Sequence, residues 1–350
     1  MFLLFLSSGM FLGWSLGAND AANVFGTAVG TRMLKFNTAA ALCCIFVILG
    51  AVISGAGASG TLGKLGAVNA VAGASVVAFA AAISVYLMIR VSYPASSSQA
   101  IVGAIVGWNI FTGTPTDTVA LLKIVSTWVI CPVLSGVIAV ISYKFVTLII
   151  SRSKIHIFKL DEATRIGLIL VGIFGSYSLG ANNIANVVGV FLPVSPFVDI
   201  TIFGGFHLSP AQQLFFLGSL AISLGVITYS KKIMETVGKG IFKLSPVMAL
   251  VVVWAQSVVL FLFASQRLEQ TFIDAGLPAL PLVPVSSSQA IVGAVIGIGL
   301  LKGGHNIRWK TVGGIAGSWI ITPVFACLLS FTCLFIVQNV FQLTVYIPQP

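Results

Sequence analysis

The sequence predicts an all-α polytopic membrane protein with two inverted repeats of about five transmembrane segments each, and broken or re-entrant helices at two serine-rich motifs. Three observations predict this architecture: the composition, the distribution of basic residues, and two pairs of repeated strings. Of the 350 residues, 58% are hydrophobic and 7% are charged, and the mean hydropathy is +1.08. Because water-soluble domains of this size are far more polar, we expect the chain to lie in a lipid bilayer.

The apolar residues fall into stretches of the length that a membrane requires, about 20 residues for a spanning helix. Ten stretches qualify when modest polar interruptions are allowed: about 2–31, 36–58, 68–91, 94–111, 118–150, 166–191, 209–229, 244–265, 279–301 and 311–340. The first stretch has no basic segment ahead of it and leads into a polar motif instead of a cleavage site. We therefore interpret it as a working helix and not as a signal peptide.

The basic residues are distributed unevenly between the two predicted sides of the membrane. If the N-terminus lies outside and each stretch crosses once, the outer side holds only Lys64, Lys123 and Arg267. The other fifteen fall on or near the inner side: Arg32, Lys35, Arg90, Lys144, Arg152, Lys154, Lys159, Arg165, Lys231, Lys232, Lys239, Lys243, Lys302, Arg308 and Lys310. Inner loops are rich in Lys and Arg, so the net charge of +10 indicates topology and not nucleic-acid binding. We expect a multi-pass protein of the cell inner membrane with both termini outside.

Two pairs of near-identical strings indicate that the chain is internally duplicated. The string SLGANDAANVFG at 15–26 recurs as SLGANNIANVVG at 178–189. The string SSSQAIVGAIVG at 96–107 recurs as SSSQAIVGAVIG at 286–297. Both pairs occur in the same order, which chance does not plausibly supply.

The basic segment 151–165 divides the chain into halves with five apolar stretches each. We expect a first repeat over 1–150, a short cytoplasmic linker over 151–165, and a second repeat over 166–350. Because five is odd, the second repeat must enter the membrane from the opposite side, which gives an inverted repeat. The sequence leaves open whether each serine-rich stretch is one broken helix or a re-entrant hairpin plus a crossing.

The first repeated string places a carboxylate and two amides in the middle of an apolar stretch. A central aspartate costs about 2.5 to 3.5 kcal/mol in a membrane helix, so Asp20 needs a function or a partner. The two copies together supply six polar residues: Asn19, Asp20, Asn23, Asn182, Asn183 and Asn186. Their oxygens suit a small hard cation, and we predict that all six bind sodium. The alternatives are a structural carboxylate that caps a broken helix and hydrogen bonds between helices.

Each serine-rich string is typical of a helix start, since Pro94 or Pro284 precedes residues that cap a first turn. Helix starts expose free N–H groups and the positive end of the helix dipole, which attract anions. We predict an oxyanion site that also includes residues of the first motif: Asp20, Asn23, Ser97, Ser98, Gln99, Asn186, Ser287, Ser288 and Gln289. Serines that only stabilise the helices are the alternative. Because no Lys or Arg lies in the four strings, a bound cation must help to neutralise the anion.

The serine-rich strings are followed by two further repeated features. Each contains a GxxxG spacing, which predicts close packing between helices: Gly103 with Gly107, and Gly293 with Gly297. Each also precedes, at matching distance, a tryptophan and a proline: Trp128 with Pro132, and Trp319 with Pro323.

The strings GANDAAN at 17–23 and GANNIAN at 180–186, with the paired SSSQ strings, resemble the inorganic phosphate transporter family over essentially the whole chain. Members include sodium-phosphate symporters, proton-coupled phosphate permeases and some sulfate permeases. The resemblance implies an inverted duplication, a homodimer, and a phosphate site formed by these motifs. Many relatives carry a second aspartate at the position of Asn183, so the number and kind of coupled cations stay open.

We therefore expect a secondary active transporter that carries phosphate with sodium by alternating access, with sodium as co-transported ligand and no enzymatic cofactor. The alternatives are a proton-coupled phosphate or sulfate permease, a passive anion channel, and an intramembrane enzyme. An enzyme is disfavoured because His156, His207 and His305 lie in predicted loops, away from Asp20. A channel is disfavoured because channels usually form rings by oligomer symmetry.

Overall fold

The computed structural model of the protein describes residues 1–66, 68–90, 95–153, 155–202, 206–237, 244–305 and 307–348. Four residues that entered the sequence predictions lie outside these ranges: Pro94, Lys154, Lys239 and Lys243.

Helices dominate the part of the chain that the structure describes, as the sequence predicts. The α-helices are α1 (Phe2–Gly30), α2 (Phe36–Ser54), α3 (Ala56–Leu65), α4 (Val71–Arg90), α5 (Ser97–Thr112), α6 (Thr118–Arg152), α7 (Ile157–Val188), α8 (Pro210–Val237), α9 (Pro246–Leu262), α10 (Gln266–Asp274), α11 (Ser287–Leu301) and α12 (Trp309–Asn339). A 3₁₀ helix (Gly189–Val194) and an antiparallel hairpin of β1 (Ile200–Ile202) and β2 (Phe206–Leu208) lie between α7 and α8. The hairpin, which includes His207, is absent from the sequence prediction.

Among the described residues, seven helices are long and apolar enough to cross a membrane: α1, α2, α4, α6, α7, α8 and α12. The pair α9 and α10, which meet at 72°, forms an eighth candidate if it is counted as one span. The chain is therefore a multi-pass membrane protein. Helices also occupy most of the predicted linker, because α6 ends at Arg152 and α7 begins at Ile157.

The stretches predicted at 94–111 and 279–301 are not full helical spans. Helices α5 and α11 have only 16 and 15 residues, or about 24 and 22 Å, against a hydrocarbon core of about 30 Å. In the second copy, non-helical backbone over 275–286 leads into the helix. Pro284 has no N–H to donate, so the helix does not extend upstream. The open alternative is thereby decided for 279–301, which holds one short helix after an extended approach and no helical hairpin.

The glycines of the GxxxG spacings lie where the short helices touch long ones. A Cβ added at Gly103 would collide with the carbonyl of Pro323, and one at Gly293 with the carbonyl of Pro132. The second glycine of each pair abuts the next turn of the same long helix. The predicted close packing is confirmed, and it fixes α5 against α12 and α11 against α6.

The most extensive helix contacts are formed between the two halves of the chain, and not within either half. Helix α1 packs against α8 and α2 against α7, while α5 packs against α12 and α6 against α11. Within each half, α4 contacts α1 as α9 contacts α7. This pattern brings the two polar helices α1 and α7 into contact with each other and with the short helices of the opposite halves.

Candidate ligand-binding site

The residues of the four repeated strings converge in the interior of the bundle. Twelve polar side chains predicted to bind ligands have exposed fractions of 7% or less: Asn19, Asp20, Asn23, Ser97, Ser98, Gln99, Asn182, Asn183, Asn186, Ser287, Ser288 and Gln289. Burying so many polar groups among apolar residues is costly unless they are hydrogen-bonded or bind a ligand.

Both Asn-rich motifs lie within continuous helices. Helix α1 runs unbroken from Phe2 to Gly30, and α7 runs from Ile157 to Val188. The broken helix considered for Asp20 is therefore wrong, and the ligands that these motifs offer are side chains and not freed backbone carbonyls. Gly17 and Gly180 let neighbouring helices approach closely, since a Cβ at either position would collide with a backbone carbonyl.

Asp20 lies at the contact between the two motifs. The amide of Asn183 donates a hydrogen bond to Asp20 Oδ2 at 3.1 Å, and Asn19 Nδ2 donates to Oδ1 at 2.8 Å. The Ser287 side chain also hydrogen-bonds to this carboxylate. All three partners are neutral, so Asp20, when ionised, carries a negative charge that these contacts do not compensate and that attracts a cation.

The last asparagine of each motif reaches the serine-rich helix of the other half. Asn23 Nδ2 donates to Ser287 Oγ at 3.3 Å, and Asn186 Nδ2 donates to Ser97 Oγ at 3.4 Å. The two bonds join equivalent positions of the repeats. Each helix start is therefore contacted by a motif from the opposite half of the chain.

The predicted helix starts are confirmed. Ser96 precedes α5 and its hydroxyl accepts a hydrogen bond from the Gln99 N–H at 3.3 Å; Ser286 accepts from the Gln289 N–H at 3.2 Å. The N–H groups of the first turn have no partner within the helix, and they lie at the positive ends of two helix dipoles. Two such ends in one buried region form a suitable site for an anion.

The third serine of each string has a different environment in the two halves. Ser288 Oγ donates to the Ala95 carbonyl at 2.9 Å, just ahead of the first helix start. The hydroxyl of Ser98, its counterpart, has no hydrogen-bond partner among the described residues. Ser98 is therefore free to donate to a ligand, whereas Ser288 would first have to release Ala95.

Several polar atoms of the site have no partner within the described part of the chain. They are Ser98 Oγ, Gln99 Oε1, Asn183 Oδ1, Asn186 Oδ1 and Gln289 Oε1. Four of the five are amide oxygens, which accept hydrogen bonds or bind cations. The site thus offers helix-start donors for an anion beside unpaired oxygens and a carboxylate for a cation.

Two of the predicted sodium ligands also form hydrogen bonds to backbone groups. Asn182 contacts the segment that leads into α11, and Asn19 contacts Ala95, just ahead of α5.

Sequence reasoning missed the Ala95 carbonyl, which no side-chain signal could reveal. It also did not single out Gln256 on α9, which is fully buried and whose two side-chain amide atoms have no partner in the part of the chain that the structure describes. The signal available was a lone amide in the apolar stretch 244–265.

Comparisons with known proteins agree on one family. A model of the phosphate transporter family matches residues 16–330 and 279–345. A Haemophilus influenzae protein provisionally named a phosphate permease is 24% identical over 95% of this chain and 96% of its own length. The sulfate permease CysP of Bacillus subtilis is 27% identical over 92% of this chain and 84% of its own. A solved structure of a sodium-dependent phosphate transporter has the same fold, with a TM-score of 0.75, 23% identity, and coverage of 96% of this chain and 98% of that one.

Proposed function

We propose, since this chain belongs to the phosphate transporter family, that it carries inorganic phosphate across a cell membrane together with sodium, by alternating access. The observation that carries the proposal is the meeting of two capped helix starts with one carboxylate and a set of unpaired amide oxygens. Helix-start N–H groups and the Ser97 and Ser98 side chains would bind the phosphate oxygens. Asp20 and the free oxygens of Asn183 and Asn186 would bind the cation.

Coupling to a cation follows from the charges of the site. Phosphate near pH 7 carries one or two negative charges, and Asp20 adds another. The four strings hold no basic residue, and helix dipoles contribute only about half a charge each. A phosphate without a cation would therefore leave an uncompensated charge in an apolar interior, which is expensive.

The direct test is uptake of radiolabelled phosphate into proteoliposomes with an imposed sodium gradient. We expect phosphate to accumulate above its external concentration, and the accumulation to collapse when the gradient is dissipated. Parallel vesicles with a proton gradient separate sodium from proton coupling. Equilibration without accumulation under either gradient would contradict symport and favour a channel.

Sulfate is the second candidate substrate, because the chain is similar to a Bacillus subtilis sulfate permease. Asp20 favours phosphate: phosphate near neutral pH carries a proton that the carboxylate can accept, whereas sulfate carries none. A buried acceptor facing a bare oxygen is costly. Excess unlabelled sulfate should compete poorly for uptake, and competition equal to that of phosphate would reassign the substrate.

The arrangement of the halves in the membrane belongs to the same proposal. An inverted repeat with both termini outside is supported by the exchanged helix pairs and by the basic residues on the predicted inner side. A homodimer is proposed on the family resemblance alone.

A further inference from the structure

We infer that Asn182 is a positioning residue that holds the backbone leading into α11 and is not a sodium ligand, and that Asn19 contacts the approach to α5 in the other half. The inference rests on the proposed function, because it assigns these helices to the phosphate site. It separates the first asparagine of each motif from the later ones, which reach across to the opposite half.

The bonds of Asn182 carry the inference. Its Oδ1 accepts a hydrogen bond from the Val285 N–H at 2.9 Å, and its Nδ2 donates to the Val283 carbonyl at 3.1 Å. Pro284, between them, has no N–H. One side-chain amide thus satisfies the backbone groups on both sides of the proline, much as a neighbouring strand would.

Burial makes these bonds important. Asn182, Val283 and Val285 all have exposed fractions of 0%, so water cannot replace a lost partner. Non-helical backbone inside a membrane protein persists only where its polar groups are satisfied internally. The extended approach to α11 therefore depends on Asn182.

The first half pairs the equivalent residues through a different backbone atom. Asn19 precedes Asn182 by 163 residues, and Ala95 precedes Val285 by 190, the same offsets as the repeated strings. Asn19 Nδ2 donates to the Ala95 carbonyl at 3.2 Å. The first asparagine of each motif thus binds the approach to the serine-rich helix of its own half.

The consequence for transport is that Asn182 helps to orient the N–H groups at the start of α11. Residues 283–286 set where the first N–H groups of α11 point, and a binding group must stay within about 0.5 Å of its productive position. Asn182 links that approach to the same helix, α7, that carries Asn183 and Asn186. The part of the site that binds the anion therefore moves with the part that binds the cation.

The test compares phosphate and sodium dependence of Asn182→Ala in proteoliposomes. With sodium saturating, we expect the half-saturating phosphate concentration to rise about tenfold or more, because two buried bonds are lost. With phosphate saturating, half-saturating sodium should change less than twofold. Ser84→Ala is the matched control, since it removes a buried hydrogen bond within α4 and should leave both values unchanged. A shift in sodium with unchanged phosphate would overturn the inference.

A second variant and a second measurement keep the test decisive if the alanine protein does not fold. Asn182→Leu keeps the approximate volume of the side chain and loses both the acceptor for the Val285 N–H and the donor to the Val283 carbonyl. Loss of a sodium ligand would raise the half-saturating sodium concentration, whereas loss of a positioning residue would not, so a sodium shift in this variant contradicts the inference.

Hydrogen exchange of a peptide covering 279–286 measures the protection of the Val285 N–H by Asn182, and it needs no substrate. Exchange should be faster in Asn182→Leu, which removes the acceptor of the Val285 N–H, than in the parent protein, and equal exchange would refute the inference. If the parent protein fails to transport phosphate, the proposed function fails, and this measurement still decides the role of Asn182.

Discussion

At the scale of single residues, the site is asymmetric at one pair. The repeat places Asp20 and Asn183 at equivalent positions, and the Asn183 amide donates to the Asp20 carboxylate. Where two acids would repel each other, this chain has an acid and an amide that form a hydrogen bond. In the proposed mechanism, the single negative charge of Asp20 therefore attracts the cation.

Replacing Asp20 by asparagine tests that role. The substitution keeps the shape of the side chain and removes its charge, so we expect sodium-driven phosphate uptake to be abolished or sharply reduced. The measurement is initial uptake rate against sodium concentration, with the amount of inserted protein determined in the same vesicles. Normal sodium dependence in this variant would show that Asp20 does not bind the cation.

Replacing Asn183 by aspartate should have the opposite effect on coupling. A second carboxylate would lie about 3 Å from the first, where like charges cannot both stay ionised without a cation or proton between them. We expect phosphate uptake to depend more steeply on sodium than in the parent protein. An unchanged steepness and an unchanged pH dependence would together contradict this prediction.

Ser97 and Ser287 test the anion site. Each hydroxyl is held by an asparagine from the opposite half, and a lost charge-assisted bond costs about 1.5 to 3 kcal/mol. We expect Ser97→Ala and Ser287→Ala each to raise the half-saturating phosphate concentration about tenfold or more. Ser257→Ala is the control, because its hydroxyl bonds only within α9. If both variants bind phosphate as the parent does, the anion lies elsewhere.

At the scale of elements, the short helices are fixed by contact with long ones at glycine. Gly103→Ala should lower the melting temperature in detergent, because its Cβ would meet the Pro323 carbonyl and overpacking costs about 1 to 3 kcal/mol. Gly317→Ala on α12 is the matched control, since a Cβ there meets nothing within 4 Å. Equal melting temperatures for the two variants would mean that the contact has room to relax.

These same elements show what the sequence can and cannot predict. The starts of α5 and α11 are predictable, because serine after proline has a local capping role. Their lengths are not, because Val283 and Val285 are apolar and buried yet lie outside any helix, and hydrophobicity reports burial and not backbone conformation. The hairpin β1–β2 is too short for its periodicity to be read.

At the scale of the whole molecule, equivalent helices of the two halves exchange packing partners. In the proposed topology the two halves have opposite orientations in one membrane. A single cysteine at Ser153, in a chain without its five native cysteines, should react with an impermeant reagent only from inside. A tag at either terminus should be reached only from outside. Labelling of Ser153→Cys from outside would contradict the inverted arrangement.

The crosswise bonds of Asn23 and Asn186 also constrain how such a gene can diverge after duplication. A change at Asn23 must be accommodated at Ser287, in the other copy, and not at Ser97 in its own. The sequences of the two repeats therefore cannot diverge independently. A chimera that takes one half from a distant relative should fail to transport even when both parent proteins are active.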